Sequence, residues 1–163
     1  MSTSSPVIGP NTNSAIGITA THRPAFFNPS NLPWTDWVME GTWFKLLNVN
    51  PMTGGFTLLL KVSASNTAPI HGHFGAVEAY IVEGGFSYDD DHGYVGDYVF
   101  EGAGIRHIPN THDDGVIMFA VVHGPLGGFH EDGSIAAVVD ARLMYDMAVA
   151  NDAAAHIEKP SHW

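Results

Sequence analysis

The chain has 163 residues, 45% of them hydrophobic, and a mass of 17.5 kDa. That is the size of one ordinary domain able to bury its own core. Six lysines and arginines stand against 17 aspartates and glutamates, for a net charge of −11. Such a surface repels nucleic-acid backbones and anionic membranes. There is no cysteine, which excludes disulfides, thiolate zinc sites, iron–sulfur clusters and a cysteine nucleophile.

Met1–Pro33 holds few core-building residues apart from Ile16, Ile18, Phe26 and Phe27. It reads as an N-terminal arm, partly disordered, suited to packing over a barrel or a neighbouring subunit. Its first stretch lacks the basic start and apolar core of a secretory leader. No run approaches the ~18 apolar residues that span a bilayer, so a cytoplasmic location is expected. Residues 34–163 read as a single domain. Thr42–Val49 is a predicted strand. In Phe56–Val62 the residues Phe56, Leu58, Leu60 and Val62 share one face, the half-buried strand pattern. Glu78–Glu83 is a third strand, and Gly84-Gly85 is read as a turn into Phe86–Tyr88. Asp89–Gly93 is a polar turn. Asp97–Phe100, Val116–His123 and Ile135–Val139 follow as strands. Turn signals at this spacing predict an all-β sandwich or barrel. Asp140 caps one predicted helix over about 141–156, whose Leu143, Met144 and Met147 form an apolar stripe.

Ten histidines outnumber the six basic residues, and three of them carry a pattern. His71-Gly72-His73 places two imidazoles on one side of an extended segment, where both reach one metal ion. Glu78 follows after four residues. Five positions is the wrong parity for one flat strand, but a bend at Gly75 would return Glu78 to the same point. His107 is the third histidine candidate, after glycines 96, 102 and 104 that permit tight turns. His92 and His112 sit in polar loops and His156 and His162 in the tail, where solvation is the expected state. Neither His22 nor His130 has a readable place.

These residues resemble the cupin superfamily. Its first motif has His-x-His, a Glu after three or four residues and a Gly after six, matched by His71, His73, Glu78 and Gly85. Its second has Gly, five residues, Pro-x-Gly, two residues and His, matched by Gly96, Gly104 and His107. Gly102 replaces the usual Pro, Thr111 replaces the usual Asn, and Ser65 replaces the glycine before the first histidine. The resemblance implies a cupin double-stranded β-helix, or jelly-roll barrel, over about Trp34–Val139. A closer resemblance is to small single-domain dioxygenases of the acetylacetone and 2,4'-dihydroxyacetophenone type. It rests on Trp43-Phe44, on the segment from Gly96 to Gly102 and on the helical tail.

The resemblance implies one divalent transition metal, Fe(II), at His71, His73 and His107. The donor set also suits Zn, Ni, Mn or Cu. It implies a dioxygenase that cleaves a carbon–carbon bond of a small β-diketone or hydroxyketone, with that carbonyl substrate and dioxygen as partners. Such cupins typically hold iron with three histidines alone, so Glu78 is a departure. It is expected either as a fourth ligand or as the base that takes the acidic substrate proton. Tyr80, sharing parity with Glu78, is expected in the pocket. Phe119 and His123, on one face of Val116–His123, are expected there too. Glu101 is expected to steady a ligand histidine, and Arg106 to form an ion pair away from the metal. A homodimer or homotetramer is expected. The alternative functions are a non-catalytic metal- or ligand-binding cupin and a metal-dependent isomerase or lyase.

Overall fold

The computed structural model describes residues 26–163, so most of the expected arm, with His22, lies outside the described residues. Eleven strands precede one helix: β1 (Thr35–Asp36), β2 (Thr42–Asn50), β3 (Gly55–Val62), β4 (His71–His73), β5 (Val77–Tyr88) and β6 (Asp91–Tyr94). The rest are β7 (Tyr98–Glu101), β8 (Arg106–His107), β9 (Asn110–Val122), β10 (Leu126–Phe129), β11 (Ile135–Val139) and α1 (Ala141–Ala150). They form two sheets. The larger runs β1-β2-β3-β9-β5-β6, with β7 also paired to β5; the smaller runs β11-β10-β4-β8. This is the expected all-β cupin barrel with a C-terminal helix. No helix among the described residues is long and apolar enough to cross a membrane.

Strand alternation builds the core. Phe56 and Leu58 on β3 and Phe44 and Leu46 on β2 are fully buried, with Val77 and Ala79 of β5 and Ala120 and Val122 of β9 beside them. Burying one such large side chain stabilises the fold by about 1.5–3 kcal/mol. Helix α1 seats Met144, Tyr145 and Ala148 against the same cluster, and the Trp37 indole donates to Met144 Sδ at 3.1 Å.

Two element boundaries differ from expectation. Helix α1 begins where expected, with the Asp140 carboxylate accepting from the Leu143 N–H at 2.9 Å. It ends at Ala150 rather than 156. Asp152 adopts φ +54, the Ala153 N–H returns to Ala148 O, and the Asp152 N–H to Val149 O. That is a Schellman termination, with aspartate in the position glycine usually takes. The expected turn at Gly84-Gly85 is instead the middle of one long strand, β5. Gly84 has φ +65, and a Cβ there would lie 2.0 Å from Gly115 O. The pairing of β5 with β9 shifts register on either side of it. These glycines make a bulge that lets the strand bend and continue.

Candidate metal centre

The smaller sheet positions three histidines. Strand β8 pairs antiparallel with β4 so that His107 lies directly opposite His71. His73 is two residues along β4, hence on the same face. The three rings converge. His107 Nε2 lies 2.9 Å from His71 Nε2 and 3.1 Å from His73 Nε2. One ligand atom from each residue falls within 4.8 Å of the others, and among the described residues this is the one such group.

Of the opposite ring nitrogens, one is hydrogen-bonded and two face a carboxylate without a hydrogen bond, His73 Nδ1 being buried and unpartnered. His71 Nδ1 donates to Pro69 O at 3.2 Å. His73 Nδ1 is 3.5 Å and His107 Nδ1 3.9 Å from the two carboxylate oxygens of Glu101. Glu101 ends β7, on the residue row of inward-facing Val77, and Tyr88 of β5 donates its hydroxyl to Glu101. The Tyr88 ring also stacks on His107, with centroids 4.7 Å apart and planes 13° from parallel. Burial holds all three imidazoles below the ordinary histidine range, His73 at about 4 and His107 at about 3; neighbouring imidazoles add to the shift of those two. Burial also pushes the Glu101 carboxyl up to about 7.

This donor set fits a metal. A neutral imidazole that carries its proton on Nδ1, facing Pro69 O or Glu101, presents a lone pair at Nε2. Three such lone pairs pointed at one another repel unless a cation lies between them. Burial keeps the imidazoles neutral, the form that ligates. Imidazole donors without thiolate suit Fe, Zn, Ni, Cu or Mn rather than a hard oxygen-seeking cation.

Glu78 takes no part in this group. The chain leaves the smaller sheet after His73 and enters the larger one at Val77. Val77, Ala79 and Ile81 are buried, so Glu78, Tyr80 and Val82 face outward. The Glu78 carboxylate accepts from His123 Nε2 at 2.8 Å and from the Tyr98 hydroxyl at 2.8 Å. These bonds, His123 first, hold its pKa below the usual carboxylate value. The same parity governs β9, where Val116, Ala120 and Val122 are buried. Phe119 and His123 therefore lie on the outer face, and Tyr80, Phe119 and His123 are not among the residues lining the cavity. The expected inward face of both strands was the wrong one. Glu101 is the carboxylate beside the triad, behind His73 and His107 rather than among the converging ligand atoms. Tyr88 was missed altogether; its signal was the Phe86/Tyr88 alternation, masked by reading Gly84-Gly85 as a turn.

Other histidines and Arg106 also departed from expectation. His92 and His112 are on strands, with Nδ1 and Nε2 3.2 Å apart. His156 is partly buried, donating from Nε2 to Leu46 O at 2.9 Å and lying against Phe27. The Arg106 guanidinium lies over the Phe129 ring, 3.9 Å from its centroid, in place of the expected ion pair.

The triad opens onto a cavity of about 420 Å³ inside the barrel. His71, His73, Tyr88 and Glu101 line it at the histidine end, and Trp37, Val139 and Leu143 line it beside α1.

Comparison with known proteins agrees with this architecture. Residues 22–127, more than half of the chain, match the family described as the ChrR cupin-like domain. A search of curated protein sequences gives no match. An RmlC-like cupin protein from Ralstonia eutropha is 26% identical and superposes with a TM-score of 0.75, covering 85% of this chain and 92% of its own. An acetylacetone dioxygenase from Acinetobacter johnsonii is 18% identical, with a TM-score of 0.66 over 79% of this chain and 92% of its own. A structure of Rhodobacter sphaeroides SigE in complex with the anti-sigma ChrR matches at 20% identity and a TM-score of 0.50, over 56% of this chain and 50% of that one. At 18% and 20% identity these last two are likenesses of fold. By its matched span and its two-sheet barrel, the chain belongs to the ChrR cupin-like domain family of the cupin superfamily.

Proposed function

We propose that the protein is a mononuclear metal-dependent dioxygenase that cleaves a carbon–carbon bond of a β-diketone or hydroxyketone. The observation that supports this best is the centre itself: three convergent imidazoles, with no carboxylate among the converging ligand atoms, at one end of an apolar cavity. Structural zinc sites favour closed four-ligand sets, and three protein ligands leave positions for a substrate. The likeness in fold to an acetylacetone dioxygenase supports the reading.

When bound, Fe(II) supplies the redox chemistry that couples an electron-rich enolate to dioxygen, whose two atoms end in two carbonyl products. The chain's part is geometry and exclusion of water. His71, His73 and His107 hold the ion. Pro69 O orients the His71 ring, and the Glu101 carboxylate lies beside Nδ1 of His73 and His107, placed to orient those rings. Tyr88 anchors Glu101 and packs flat on His107. Apolar walls keep the reacting centre dry. Glu78, on the outer face, is dropped as ligand and as base. The exposed aromatic face carrying Tyr80, Tyr98, Phe100 and Phe119 supports a homodimer or homotetramer as part of the same proposal.

The test is metal analysis together with oxygen uptake. Purified protein reconstituted with Fe(II) should bind one equivalent and consume dioxygen when a β-diketone is added. Bound metal with no uptake across a panel of diketones and hydroxyketones sinks the dioxygenase reading. It would favour a non-catalytic metal-binding module, a reading that the likeness in fold to the complex holding the anti-sigma ChrR keeps open.

A further inference from the structure

We infer that the molecule held at the triad carries a long, uncharged apolar body, such as an aryl or extended alkyl group, on a small chelating head. The inference rests on the metal-centre reading of the previous section and names the class of compound that site takes.

The first ground is size. A cavity of about 420 Å³ has room for roughly fourteen groups of the volume of a water molecule. That is about twice what acetylacetone itself would occupy, and within the range of sites for drug-sized ligands.

The second ground is why the space exists. Inward-facing positions in a barrel are normally filled by large side chains. Here β5 and β9 place Ala79 directly opposite Ala120, both buried and both lining the cavity. On the smaller sheet, the cross-strand neighbours Gly128 and Ala137 line the same space. The room comes from small residues on two facing walls, between the large core side chains around them.

The third ground is polarity along the length. No lysine, arginine or aspartate lines the cavity, and Glu101, its one carboxylate, sits at the histidine end. Beyond the triad the walls are Phe56, Leu58, Met118, Val122, Val139 and Leu143. Thr42, Asn66 and Thr111 also line it, but their side chains are bonded within the chain, to Met39 O, Ser63 Oγ and Ser63 O. A phosphate, carboxylate or sugar hydroxyl placed beyond the triad would lose its water for little in return, which is costly. An apolar group gains by leaving water.

The test uses the full-length protein loaded with Zn(II), which cannot run the redox reaction, and calorimetric titration with acetylacetone, benzoylacetone and 1-phenylpentane-1,3-dione. Both aryl compounds should bind at least about tenfold tighter than acetylacetone. In Ala120→Leu, the aryl compounds should lose at least about tenfold while acetylacetone stays within twofold. Equal affinities across the series in the wild-type protein would overturn the inference without recourse to any variant. So would an Ala120→Leu protein, folded by circular dichroism, that keeps the full aryl preference. The two readings separate cleanly. Aryl preference with no oxygen uptake by the Fe(II) protein overturns the dioxygenase and leaves the apolar ligand. Oxygen uptake with no size preference does the reverse.

Discussion

The barrel wall carries the same three residue types on its two sides. Inside, Tyr88 donates to Glu101 and Glu101 faces His73 and His107. Outside, Tyr98 donates to Glu78 and Glu78 accepts from His123. Burial separates them: the Glu101 side chain is 13% exposed and that of Glu78 43%. The two carboxyls shift in opposite directions, Glu101 up to about 7 through burial and Glu78 down through its hydrogen bonds. An exposed hydrogen-bonded pair of the outer kind contributes little, because water solvates its members almost as well. The inner group has no such substitute. Residue types in contact therefore do not by themselves make a site. What matters is that their partners cannot be replaced by solvent and that they converge on a point.

Substitutions in matched pairs test this contrast. The largest effect is expected at the ligands. His73→Ala should lower metal affinity by roughly a hundredfold or more, while His123→Ala leaves it within twofold; competition titration against a chromogenic chelator measures both. Next come the carboxylates. Glu101→Gln should weaken metal binding about 10–100-fold. Glu78→Gln should leave both metal affinity and turnover within twofold. A large loss in Glu78→Gln would restore the sequence-based expectation and break the contrast. The hydroxyls come last. Tyr88→Phe frees Glu101 on one side and should cost metal affinity a few fold, whereas Tyr98→Phe should cost none. If the inner and outer tyrosine variants behave alike, Tyr88 only fills space.

The strands that form the barrel were legible because alternation in Phe56–Val62 and the turn spacing are local signals. The histidine pattern was legible for the same reason, since His71 and His73 are two residues apart on one strand. Which face of β5 looks inward was not. Parity carries along a strand, but at Phe74–Ala76 the chain passes from one sheet to the other, and the count restarts at a point set by tertiary packing. Glu78 and Tyr80 were both assigned to the wrong side by that single step. The pairing of β9 with β5 then carries the same inversion to Phe119 and His123. Glu101 was reached by its distance from His107, which survives such an error. Tyr88 was lost because Gly84 permits a bulge as well as a turn, and the close approach of Gly115 that decides between them is not written locally.

The two sheets are unequal in length. In the smaller one, β4 has three residues and β8 two, so few backbone hydrogen bonds join them. The histidines sit on this short ladder, His71 facing His107 across it. An ion shared by the two strands would act as a stitch across the shortest seam of the barrel, and its binding energy would add to the folding energy of that seam. Chelation should then quicken amide hydrogen exchange at His73, whose N–H donates to Ile105 O across the β4–β8 seam, far more than at Leu58 or Ala120 in the long sheet. For this protein the metal would be a fastener as well as a reagent, and metal starvation would loosen one wall of the barrel before the other.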